Sequence, residues 1–141
     1  MTPAVPQLFW QGVEQFNSQQ FYACHDTLEA LWIEATEPEK TFYQAVLQIA
    51  VALYHLSNSN WRGAVILLGE GINKLQRYPS IYAGIDVDEL IISSGAMLQA
   101  LQKAGAEEII ELMSKSSLSQ LANQDAALQL PKIVPATEEF N

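Results

Sequence analysis

Apolar residues along the chain recur mostly at three- and four-residue spacing, the period of an amphipathic helix, and polar four-residue breaks interrupt them. Leu8, Phe9, Gly12, Val13 and Phe16 predict a short first helix, with Pro6 available for its first turn. Asn17-Ser18-Gln19-Gln20 breaks it. Phe21, Cys24, Leu28, Leu31 and Ala35 then form one apolar face of a second helix over about 21–35. Thr36-Glu37-Pro38-Glu39 matches a capping box, predicting a third helix over about 37–57 with Pro38 in its first turn. That helix is apolar nearly all round, through Phe42, Val46, Ile49, Ala50, Leu53 and Leu56 on one side and Tyr43, Leu47, Val51 and Tyr54 on others. So little polar surface places it at the centre of the fold.

Asn60 is a good N-cap for a fourth helix over about 61–77, which Pro79 ends. Gly63, Gly69 and Gly71 lie inside it, each costing about 1 kcal/mol of helix propensity relative to Ala. They imply either a close neighbour or a distortion. Residues 80–85 read as a loop, Asp86-Val87-Asp88-Glu89 as a capped start, and Leu90, Met97, Leu98 and Leu101 as a fifth helix to about Ala104. Gly105 fits the position after its end, and a shorter helix follows over about 106–114. Periodicity weakens over 116–130, and the 131–141 stretch, with two prolines and acidic residues, is expected to be extended or mobile.

The links Phe16-Asn17-Ser18-Gln19-Gln20-Phe21 and Leu56-Ser57-Asn58-Ser59-Asn60-Trp61 superpose at a constant offset. Each ends one helix on an apolar residue, crosses four polar ones and opens the next on an aromatic. Two such links point to stacked antiparallel helix pairs of tetratricopeptide-like packing. The expected fold is therefore all-α, a bundle of stacked antiparallel helical hairpins with five to six helices. Residues 1–134 are read as one domain and 135–141 as an acidic tail.

Composition narrows the function classes. The 141 residues suffice for one core without covalent staples. A net charge of −9, from 16 acidic and 7 basic residues, argues against nucleic acid and against anionic membrane surfaces as partners. Cys24 is the single cysteine, so no internal disulfide can form, and a buried apolar role is expected for it. The first ten residues lack a basic segment and a long apolar run, and 45–56 is too short to span a bilayer. A cytoplasmic protein is the expectation.

Candidate chemistry sits on two helical stripes. His25, Glu29 and Trp32 fall at i, i+4 and i+7 on the second helix, and the imidazole can share a hydrogen bond with the carboxylate. Gln44, Gln48 and His55 occupy a narrow band on the third. If the two helices form a hairpin with both stripes inward, the glutamines flank His25 and Glu29, with Tyr22 and Trp32 as walls. Two readings stay open: a small polar pocket able to bind a metal or act in acid–base chemistry, or a buried hydrogen-bond network that fixes helix register. Under either, His25→Ala or Glu29→Ala would cost about 1–3 kcal/mol by stranding a buried partner. As a metal site the set is thin, because Asp26 points away and a third ligand would have to be His55 or Glu34. No cofactor is named by these residues. No glycine-flanked serine offers a nucleophile, and Gly69-Glu70-Gly71 lacks the lysine and strand context of a phosphate loop. Trp10, Tyr22 and Trp61 open helices and are expected to pack. Arg62, near a helix start, is expected to find a carboxylate or to grip an anionic ligand.

The run 21–32 (FYACHDTLEALW), with 42–55 (FYQAVLQIAVALYH) and 60–64 (NWRGA), resembles a bacterial and archaeal domain-of-unknown-function family numbered 309. Its pattern is a His-acid pair before an apolar-Glu-x-x-Trp run, followed by a Gln-rich apolar helix. The resemblance covers roughly Leu8 to Tyr78, and Leu130-Pro131-Lys132-Ile133 looks like the family's closing element. It implies an all-α bundle of stacked hairpins in a cytoplasmic, self-associating protein and brings no established activity. Its recurrent polar positions correspond to His25, Glu29, Trp32, Gln44, Gln48, His55 and Arg62, with Asp26 where an acidic residue is usual. The leading functional expectation is a non-enzymatic interaction or ligand-binding module whose partner is a second copy, another protein or a small molecule. The alternative is a small hydrolase-like enzyme with His25 as base, Glu29 as orienter and a divalent metal as an optional addition.

Overall fold

The computed structural model describes residues 5–124 and 128–136, with backbone alone for 122–124. The chain runs α1 (Gln7–Asn17), α2 (Phe21–Glu34), α3 (Glu39–Ser57), α4 (Trp61–Leu75), a hairpin of β1 (Ile81–Tyr82) and β2 (Ile85–Asp86), α5 (Val87–Ala104), α6 (Ala106–Lys115) and α7 (Leu118–Gln124). It is an all-α protein of stacked helices with one very small sheet. Successive helices α1 to α4 pack on one another, and α5 packs on α4. α3 lies between α2 and α4, as its apolar circumference requires: Phe42, Val46, Ile49, Leu53 and Leu56 are buried in the common core, Tyr43 and Ala50 toward one neighbour, Ala45 and Ala52 toward the other.

The two superposable links have the same backbone. In the first, Gln19 is left-handed (φ 64°), its N–H bonds Phe16 O at 3.0 Å and the N–H of Gln20 bonds Gln15 O at 2.8 Å. In the second, Ser59 (φ 62°) bonds Leu56 O at 3.0 Å and Asn60 bonds His55 O at 2.8 Å. Both are Schellman turns, which satisfy the last carbonyls of a helix and reverse the chain. Asn60 then caps α4 by accepting from Gly63 N at 2.9 Å, and Asp86 caps α5 by accepting from Glu89 N at 2.9 Å.

The start of α3 departs from the expected capping box. Pro38 is its N-cap and makes no side-chain cap bond; the Glu37 carboxylate instead accepts from the Thr41 backbone N–H at 2.8 Å and hydroxyl at 2.5 Å. Those two bonds, the hydroxyl's first, hold the Glu37 carboxyl below its ordinary range.

The α4 glycines divide into cases. A Cβ on Gly71 would lie 2.7 Å from Ile49 Cγ1 and 2.9 Å from Ala45 O, so this glycine lets α4 approach α3. A Cβ on Gly63 would meet Asn60 and His55, whereas one on Gly69 would meet nothing within 4 Å. Gly69→Ala is therefore expected to stabilise the protein by about 1 kcal/mol, read as a rise in the urea midpoint; an unchanged or lower midpoint would mean that position 69 is more crowded than it is here.

Residues 81–86, expected as loop, form an antiparallel hairpin in which Tyr82 pairs with Ile85. Its two-residue turn, Ala83 (φ 52°) and Gly84 (φ 80°), has both central residues left-handed, the geometry that matches strand twist. An extended tail closes the structure. Asp86 N bonds Val134 O at 2.8 Å, Ala136 N bonds Gly84 O at 2.9 Å, and Ile85 bridges Pro135. Asn17 holds the same tail from the other side, donating to Ile133 O at 2.8 Å and accepting from Ile133 N at 2.9 Å. Residues 131–136 are thus extended and docked, with Ile133 buried. Of the acidic tail expected over 135–141, residues 137–141 lie outside the described residues.

Candidate functional site

Helical spacing turns one side of the α2–α3–α4 layer toward solvent. On α3, Gln44, Gln48, Val51 and His55 lie within about 60° of arc opposite the buried row, and all four are half-buried. They form the floor of a shallow face. On one side, α2 contributes Tyr22, His25, Glu29 and Trp32; on the other, α4 contributes Gly63, Leu67, Glu70 and Lys74. The opposite side of the layer is covered: the Trp61 indole donates to Leu101 O of α5 at 2.8 Å, and Phe42 packs on Tyr82 of the hairpin.

The two sequence stripes therefore share a face, but the expected junction between them is absent. Gln48 turns to α4, donating to Glu70 Oε1 at 3.1 Å and accepting from Lys74 Nζ at 3.0 Å. A glutamine between a carboxylate and an ammonium uses its amide as donor to the one and acceptor to the other, and both of those groups come from α4. His25 finds its partners on α2 itself: Nδ1 is 3.2 Å from Asp26 Oδ1 and Nε2 is 3.5 Å from Glu29 Oε2. Asp26, read from spacing as pointing away, is thus one of the two groups that hold the imidazole.

With side-chain exposures of 31% for His25 and 45% for Glu29, the pair meets water and is not a sealed network. The expected loss of stability for its removal is corrected accordingly. His25→Ala and Glu29→Ala should each shift stability by no more than about 0.5 kcal/mol, because a partner that meets water is not stranded when the other side chain is removed. Thermal midpoints several degrees below the parent would contradict this placement.

Each remaining candidate has its own setting. Trp32 lies under Lys40, whose ammonium is 4.9 Å from the ring centroid and donates to Trp32 O at 2.8 Å. His55 Nδ1 is 3.3 Å from Asn60 Nδ2, beside Gly63. Tyr22 is 60% exposed, and its ring lies 5.4 Å from Tyr54 and 6.1 Å from His25. Arg62 is exposed and makes no ion pair or hydrogen bond among the described residues, so the expected carboxylate partner is not found there. Glu70, Lys74, Lys40 and Tyr54 were not singled out from sequence; Glu70 and Lys74, at i and i+4 on α4, were the available signal.

Chemically, His25 between two carboxylates is an imidazole oriented through both ring nitrogens. Among the described residues, no three His, Cys, Asp or Glu side chains are grouped to hold a metal ion. Cys24 is fully buried, its thiol donates to Gly12 O at 3.4 Å, and burial pushes its pKa up to about 12, the setting of an inert apolar thiol.

A groove of about 690 Å³ adjoins the α2 edge of this face, lined by residues 18–23, Tyr54, Ser57 and residues 117–119. Tyr22 and Tyr54 form its aromatic corner. α2 starts here with Gln20 as N-cap and no side-chain cap bond.

The comparison with known families falls on the segment that builds this face. Residues 9–67 match the family model of a domain of unknown function (DUF309). The DUF309 segment takes in nearly all of α1, the whole of α2 and α3, and the first half of α4, and with them His25, Glu29, Trp32, Gln44, Gln48, His55 and Arg62. Glu70 and Lys74, the partners of Gln48, lie just beyond it. The chain is also 30% identical over 118 residues, 83% of its length, to the uncharacterized protein YpuF of Bacillus subtilis (strain 168). It spans 64% of that relative's length. Neither name carries an activity. Among the described residues, no helix is long and apolar enough to cross a membrane.

Proposed function

We propose that this protein is a non-enzymatic helical interaction module of the cytoplasm that docks on a second copy of itself through the outward faces of α2 and α4. One observation carries the reading: the flanking helices of the open face expose large aliphatic side chains among complementary charges. On α2, Ile33 is 61% exposed beside Glu34, in line with Asp26 and Glu29, and the helix contains no Lys or Arg. On α4, Ile66 is 47% exposed one turn from the unpartnered Arg62, while Glu70 is engaged by Gln48. A two-fold axis that lays α2 of one copy on α4 of the other buries each isoleucine and sets Arg62 against the acidic row, twice.

Sedimentation velocity tests the reading. The parent chain should sediment as a dimer, and Ile33→Glu and Ile66→Glu should sediment as monomers with unchanged circular dichroism, since both positions face solvent within the protomer. Added salt should weaken the dimer by screening the Arg62 contacts. A parent that remains monomeric at the highest attainable concentration, or isoleucine variants that dimerise like the parent, would end this reading.

A further inference from the structure

From the chemistry of the 690 Å³ groove we infer that it is a binding site for a neutral saccharide, at the start of α2, the end remote from Ile33. The volume falls within the range of small-molecule sites. Among the described residues, no Asp, Glu, Lys, Arg or His side chain lines this groove. A charged ligand entering it would give up hydration without gaining a counter-ion, so the lining selects an uncharged one.

The remaining groups specify what kind. Tyr22 and Tyr54 meet with their planes 59° apart and centroids 5.4 Å apart. That corner offers no parallel slot for a flat aromatic ligand; it offers two inclined apolar faces, suited to the C–H faces of successive pyranose rings. Around it lie short hydroxyl and amide side chains: Ser18 and Gln20 on the α1–α2 link, Ser57 at the end of α3 and Ser119 on α7. The Tyr22 and Tyr54 hydroxyls and the Ser18 and Gln20 side chains make no hydrogen bond within the described residues, which leaves them as donors and acceptors for ligand hydroxyls. Aromatic faces for ring carbons together with neutral bidirectional hydrogen-bonding groups for hydroxyls are the complement of a sugar.

The test is saturation-transfer NMR on the full chain with maltotriose, cellotriose and chitotriose, followed by titration of whichever binds. At least one should bind, and Tyr22→Ala should weaken it by about tenfold, the loss of one aromatic contact. Tyr22→Phe, which keeps the ring, should retain most of the affinity. Ile66→Glu should leave it unchanged, so that failure of the dimer proposal and failure of this one are distinguishable. Trigalacturonate, a charged trisaccharide, should bind at least about tenfold more weakly than the neutral ligand. No binding of any of the three neutral sugars, full affinity in Tyr22→Ala, equal affinity for trigalacturonate, or Tyr22-dependent binding of adenosine in their place would each overturn the assignment.

Discussion

Phe42→Ala is expected to lower stability by about 4 kcal/mol, the largest effect of any substitution considered for this protein. Phe42 is fully buried at the start of α3, and its ring lies within 4.8–6.1 Å of Phe9, Tyr43, Tyr78 and Tyr82. These neighbours come from α1, α3, the segment after α4 and the β hairpin, so truncation opens a cavity where these segments meet. Two hydrogen bonds fix the rim: Tyr78 donates to Pro38 O at 2.6 Å and Tyr82 to Glu39 Oε2 at 2.7 Å. Burial, and then the Glu39 carboxylate, raise the Tyr82 phenol well above its ordinary range, so the phenol stays protonated and keeps this contact into alkaline pH. Because small domains are stable by only about 5–15 kcal/mol, the variant should be marginal. Urea unfolding would read the shift in midpoint, and hydrogen exchange should show the 81–86 hairpin losing protection first. A loss below about 1 kcal/mol would mean that these rings do not pack as described.

Gly71→Val should cost about 3 kcal/mol, although valine is the better helix former. The new Cβ would sit 2.7 Å from Ile49 Cγ1, which a rotamer change could relieve, and 2.9 Å from Ala45 O, which it could not. Backbone must move, and α3 and α4 would separate along the line where they are closest. The consequence reaches the open face, because Gln48 bridges to Glu70 and Lys74 across that same contact. The control is Gly69→Ala, two residues away, with the opposite expected sign. A Gly71→Val protein as stable as the parent would show that the helices are not held together at this glycine.

The contrast between those glycines marks what could be read from the chain alone. Both weaken a helix equally by propensity, and nothing local distinguishes them; only the position of α3 does. The same holds for the polar stripes. Periodicity placed His25, Glu29 and Trp32 on one band and Gln44, Gln48 and His55 on another, and both bands do share a face. That Gln48 bonds α4 and not α2 depends on which neighbour presents a matching donor and acceptor, Lys74 and Glu70, 26 and 22 residues further along. Spacing likewise put Asp26 out of reach of His25, whereas the imidazole lies between Asp26 and Glu29. The hairpin turn escaped notice because Ala83 occupies a left-handed position where Asn or Gly would have announced it. The docked tail could not be read locally, since Asn17 reaches Ile133 across 116 residues.

The sequence by itself determined helices α1 to α6, the two superposable links and the centrality of α3, because a helix's apolar arc and a Schellman turn are encoded within a few residues of one another; it did not determine α7 or the hairpin. The tertiary structure alone decided which side of the α2–α3–α4 layer is covered by α5 and the hairpin and which is left to solvent. That choice turns a stripe bordering the apolar arc into core or surface, and it is set by contacts between segments far apart in the chain, to which local periodicity is blind.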